Sequence, residues 1–87
     1  SYAAYLRSEH WLAFREAYFA KHKKVCCCCA EPARDLHHST YEYLGKERQK
    51  DVKPICRSCH DKVHTLIREH RVPLAKAHEV VSFILKG

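Results

Sequence analysis

Eighty-seven residues set the scale of one small domain, too short to bury a large core without a staple such as a metal ion or disulfides. A formal net charge of +6 and a sequence pI of about 9.1 favour a polyanionic partner, of which nucleic acid is the commonest. The sequence shows no signal peptide, no apolar run long enough for a membrane helix and no Asn to accept a glycan. The expectation is therefore a reducing, cytoplasmic setting without a membrane partner. The absence of Met and the initial Ser read as a processed or trimmed piece.

In chain order, residues 1–24 contain neither Gly nor Pro. Tyr5, Leu12 and Phe19 recur at heptad spacing beside Trp11, Phe14 and Tyr18, which predicts one amphipathic helix from Ala3 to about Lys21 with an aromatic face turned to the core. Lys21, Lys23 and Lys24 suit its C-terminal end. Cys26 to Cys29 then form a tight turn closed by Pro32. Residues 25–70 read as the core of the domain. A short strand is predicted around Asp35 to His38, a polar loop over residues 44–51, and a second strand over Asp51 to Ile55. A helix follows from Arg57 or Ser58 to about His70, with Ser58 a plausible cap. In residues 71–87, Pro73 opens a final helix whose apolar stripe is Leu74, Ala77, Val81 and Ile84, expected to pack on the first helix or on a second copy.

Two metal chemistries are written into this core. Cys26 and Cys29 have two residues between them, as have Cys56 and Cys59, and residues 30–55 separate the pairs. Paired knuckles of this kind predict a closed, tetrahedral four-cysteine structural Zn2+ site, with Cys27 and Cys28 as small apolar fillers. A filled thiolate shell has no open position, so this metal does not catalyse. His60 and His64, four apart on the predicted helix, share one face and suit a divalent cation with open positions. His37 and His38 are adjacent on a strand and point to opposite faces. If His37 joins His60 and His64 at a cation, His38 is left as a general base. A cation with spare positions beside a base suffices for phosphodiester hydrolysis: the one stabilises phosphate and the departing 3′ oxygen, the other activates water.

LHHSTY followed by DVKPICRSCHDKVH resembles the HNH endonuclease family of the ββα-metal fold, in its zinc-knuckle branch, over residues 26–64. The resemblance implies an α+β fold: a small ββα-metal core with a four-cysteine zinc knuckle, flanked by an N-terminal and a C-terminal helix. It implies DNA cleavage, often nicking of one strand, with Mg2+ or Mn2+ (Zn2+ or Ni2+ in some cases). By position in the motif, His38 is the general base, His37 and His60 are metal ligands, and His64 is a ligand in some members. One departure stands out: the family's middle Asn, which fixes the loop between the strands, falls on Asp51, which by that position is a candidate catalytic residue. Asp accepts those hydrogen bonds but donates none when ionised. It can instead support a histidine or an ion.

Of the basic residues around the motif, Arg57, Lys46 and Arg48 are the candidate DNA contacts, with Arg57 foremost because it opens the metal-bearing helix. Glu42, Glu47 and Asp61 are candidate hydrogen-bond partners for a ligating His, and sequence does not choose among them. The expected partner is double-stranded DNA, read with low sequence specificity by a monomer. The alternative is a non-catalytic zinc-stabilised module that binds nucleic acid through its basic surface.

Overall fold

Along Asp35, Leu36, His37 and His38 the side chains alternate between two faces of a strand, and each face meets a different helix. The computed structural model describes residues 1–87. Its elements are α1 (Tyr2–Tyr5), α2 (Glu9–Lys21), β1 (Asp35–His38), a 3-10 turn (Gln49–Asp51), β2 (Val52–Ile55), α3 (Arg57–His70) and α4 (Ala77–Leu85). The strands pair antiparallel, with Asp35 opposite Ile55, Leu36 opposite Pro54, His37 opposite Lys53 and His38 opposite Val52. The fold is a small α+β arrangement of four helices and a two-stranded sheet.

Two apolar clusters hold the hairpin between helices. On one face Leu36 and Val52 pack with Trp11 and Tyr18 of α2. On the other, Ile55 packs with Cys59 and Val63 of α3, Ala77 and Val81 of α4, and Cys26 and Cys28 of the cysteine turn. Trp11 is 4% exposed and lies with its ring 4.5 Å from that of His38 and 5.7 Å from that of Phe14. Trp11→Ala is therefore expected to remove about 3–5 kcal/mol of stability, measured by urea unfolding of the metal-loaded protein.

The predicted N-terminal helix is broken in two. Ser8 leaves the helical conformation and its side chain accepts a hydrogen bond from the Trp11 N–H, so a new helix starts at Glu9. The break frees Tyr2 and Tyr5 to reach residues 38–47. It also leaves Leu12, expected on the buried face, half-exposed. The second strand starts at Val52 instead of Asp51, because Asp51 closes the 3-10 turn. The cap of α3 is Cys56, not Ser58: its sulfur accepts from the Cys59 N–H at 3.4 Å.

The last helix begins at Ala77, not at Pro73, whose carbonyl accepts from the N–H groups of Lys76 and Ala77 in the preceding turn. It packs on α3 and the cysteine turn through Ala77 and Val81, not on the first helix as expected, while Ile84, expected in the stripe, is exposed. No helix is long and apolar enough to cross a membrane.

Candidate metal centres

The cysteine turn is built by backbone bonds. Val25 bridges Pro32, the Cys26 N–H donates to Glu31 O at 2.7 Å, and Ala30 takes a left-handed φ of 67°. The Cys27 N–H donates to Pro54 O at 2.8 Å, which docks the turn on the end of β2, next to Cys56. Cys26, Cys29, Cys56 and Cys59 are thereby brought together, their sulfurs within 4.8 Å of one another, close enough to hold a metal ion.

The Sγ atoms of Cys29 and Cys56 are 3.7 Å apart. Two sulfurs at about 2.3 Å from one tetrahedral zinc stand about 3.8 Å apart, whereas a disulfide needs about 2.05 Å. All six cysteines are free thiols. Burial raises the Cys26 thiol, but hydrogen bonds from the backbone of Cys56, Cys28 and Cys29 outweigh it and leave the group at about 7, favouring the thiolate that binds metal. Cys28, on the core side, is pushed up to about 12 by burial and donates to His78 O, as expected of a filler. Cys27 is exposed.

The second cluster lies on the α3 face of the hairpin. His37 projects from β1, and His60 and His64 project from one face of α3, their ligand nitrogens within 4.8 Å of one another. The Nε2 atoms of His60 and His64 are 3.1 Å apart. Two nitrogens at roughly 2.0–2.1 Å from one ion stand about 3.0–3.4 Å apart, so this separation fits a shared cation. His37 is 1% exposed, and its Nε2 has no hydrogen-bond partner. A buried polar atom left unpaired is disfavoured by roughly 1–3 kcal/mol, and a bound cation would satisfy it. Burial, followed by the nearby His60, His78 and His64, holds His37 down at about 3. It is therefore neutral at ordinary pH, the state that ligates metal.

Asp35, to which the sequence reading gave no role, shares the His37 face of β1. Its Oδ2 accepts from His60 Nδ1 at 3.0 Å, which leaves Nε2 to face the cluster. Burial works against its charge, but hydrogen bonds from Arg57 and His60 hold the carboxyl below the usual range. Arg57, the foremost DNA contact by sequence, bonds Asp35 through Nε at 2.9 Å and Nη2 at 3.3 Å. Its side chain is nonetheless largely exposed.

His38 points to the opposite face, as the alternation requires. Expected as a general base, it is enclosed, 2% exposed. Its Nε2 lies 2.9 Å from Glu47 Oε2 and its Nδ1 2.7 Å from Tyr2 Oη. Glu47 also accepts from the Tyr5 hydroxyl and faces His10 Nε2 at 3.3 Å. Burial raises the Glu47 carboxyl, yet the bonds from Tyr5 and His38 bring it below its ordinary value. In the tautomer whose Nε2 donates to Glu47, Nδ1 is the acceptor and the Tyr2 hydroxyl the donor.

Asp51 stands apart from both clusters. Its carboxylate accepts from the Arg48 N–H at 2.8 Å and from the Arg48 guanidinium at 3.1 and 2.9 Å. Its carbonyl takes the Ser39 N–H and hydroxyl. The carbonyl bonds tie the end of the loop to the residue after β1, and the Arg48 bonds hold the Asp51 carboxylate in place. Arg48 also lies 3.8 Å over the Tyr43 ring, while Lys46 is exposed. His78 of α4 places its ring 6.1 Å from that of His37, and its Nδ1 is likewise buried without a partner. Compared with known proteins, the chain matches no protein-family model, no curated protein and no solved structure.

Proposed function

We propose that this chain is a metal-dependent DNA endonuclease of the HNH type, which nicks one strand by hydrolysing a phosphodiester bond. The observation that carries the reading is the convergence of His37, His60 and His64, with the Nε2 of His37 orphaned in the interior. The resemblance of residues 26–64 to the family supports it, as does the β1–β2–α3 order around the cluster. A divalent cation held by the three imidazoles would supply charge stabilisation for the phosphate and the departing 3′ oxygen. The cysteine quartet would hold structural Zn2+, binding the turn before β1 to the start of α3 and so fixing where β1 and α3 present their histidines.

The chain's own residues do the rest. Asp35 holds the His60 ring with Nε2 toward the cluster. Glu47 orients His38 and stabilises the imidazolium that forms when Nδ1 takes a proton. Asp51 ties the loop carrying Glu47 to the end of β1 through its carbonyl, which accepts from Ser39. Arg57 and Lys46, both exposed, are placed to meet phosphates of the duplex. Asp35→Asn is expected to weaken cation binding roughly 10–100-fold, measured by titrating Mn2+ into the zinc-loaded protein.

A second reading, a non-catalytic zinc module that binds nucleic acid, is favoured by the enclosure of His38, whose ring nitrogens both have protein partners. The discriminating experiment incubates supercoiled plasmid with the protein and Mg2+ or Mn2+, with and without EDTA. Ion-dependent nicked circles support the endonuclease. Retarded but uncut DNA under every ion supports the binding module.

A further inference from the structure

The enclosure of His38 poses a problem of access. A cavity of about 350 Å³ opens between the N-terminal helices and α3, and its polar walls are Tyr2, Arg15, Arg57, His60 and His64 with the carboxylates of Asp35 and Asp61. This is where a phosphate beside the histidine cluster would lie. His38 does not line it. One of its ring nitrogens is closed off by Glu47 and one face of its ring by Trp11, with ring centroids 4.5 Å apart. The other nitrogen meets the Tyr2 hydroxyl at 2.7 Å, and Tyr2 does line the cavity and is 39% exposed. Tyr2, a wall residue of the cavity, is therefore joined by hydrogen bonds to His38 and through it to Glu47.

We propose that Tyr2 is a catalytic residue, its hydroxyl relaying a proton from a water in the cavity to Nδ1 of His38. The inference rests on the endonuclease reading. As water attacks phosphorus, its O–H bond breaks and the proton passes to Tyr2 Oη. The proton already on Tyr2 passes to Nδ1 of His38, and Glu47 balances the imidazolium. The new P–O bond forms, the P–O3′ bond breaks, and the 3′ oxygen collects a proton from solvent. His38 returns its proton to solvent by the same route. Tyr2 ends as it began, a neutral phenol, and no oxidant or reductant takes part.

The rival role for the same contact is a lid, with Tyr2 blocking His38 until the N-terminal turn lifts. The two roles predict opposite effects of Tyr2→Phe, which removes the hydroxyl and keeps the ring. In the full zinc-loaded chain, the relay predicts that plasmid nicking falls roughly 100-fold. It also predicts that the 15N resonance of His38 Nδ1 moves while that of Nε2, held by Glu47, stays. A matching amide spectrum for the two proteins checks that the fold is kept. Nicking at or above the wild-type rate, or an Nδ1 resonance that does not move, overturns the relay. If the wild type nicks while Y2F nicks as fast, the relay alone fails. If the wild type nicks nothing with any ion, the endonuclease reading fails and takes the relay with it.

Discussion

Cys56→Ser is expected to abolish cooperative folding. Cys56 has two structural duties: its sulfur belongs to the four-cysteine cluster, and it caps α3 through the Cys59 N–H. Cys26 and Cys59, its partners, are themselves core residues packed with Ile55, Val63, Ala77 and Val81. Structural zinc contributes about 10–16 kcal/mol in small zinc modules, against a total of about 5–15 kcal/mol for a typical domain. The metal term is thus as large as the whole stability of such a domain, and its loss leaves no cooperative fold. In a thermal melt followed by circular dichroism, the wild type should unfold in one cooperative step. C56S, or the wild type treated with a strong chelator, should show none. Cys27→Ser is the matched control, because Cys27 is exposed and outside the quartet; it should melt like the wild type. A C56S protein that melts like the wild type would remove the metal from the account of stability.

The second large effect is on chemistry. On the proposed endonuclease reading, His38→Gln is expected to lower the nicking rate roughly 100- to 10,000-fold while zinc content and Mn2+ affinity stay near those of the wild type. Gln is preferred to Ala because His38 fills the space between Trp11, Tyr2 and Glu47, and truncation there would also open a cavity. His60→Ala should likewise abolish nicking, but by a different route. It removes one of three converging nitrogens and leaves Asp35 without its imidazole partner, so Mn2+ affinity should fall along with the rate. Plasmid kinetics beside Mn2+ titration separate the two routes. A His38→Gln protein with unchanged kinetics would remove His38 from the mechanism.

The parts of the molecule legible in the sequence are those set by local spacing. Four residues along a helix put His60 and His64 on one face whatever surrounds them, and the period of a strand sends His37 and His38 apart. Two knuckles each closed by a turn left little freedom for the four sulfurs. The partners of these residues were harder to read because they come from far along the chain. Glu47 reaches His38 only because a loop turned by Gly45, at φ 89°, folds back over β1, and the sequence offered Glu42 and Asp61 equally. Tyr2 and Tyr5 reach the same place only because Ser8 breaks the helix, and aromatic periodicity running across that break masked it. Asp35 was within reach of the strand argument, since it shares the His37 face. Arg48, proposed from its charge as a DNA contact, is drawn into the bonds that fix the Asp51 carboxylate three residues away.

The claim at the centre of this account is that one chain holds two metals with separate duties. One purified sample tests it: zinc per chain after dialysis against a mild chelator, then nicking of supercoiled plasmid as Mn2+ is added back. The expected result is a single zinc that survives dialysis, no nicking before Mn2+, nicking that saturates with Mn2+, and none at any Mn2+ concentration in His60→Ala. Plasmid that is bound but never cut, at any concentration of Mn2+ or Mg2+, would contradict the account and leave a zinc-stabilised binding module in its place.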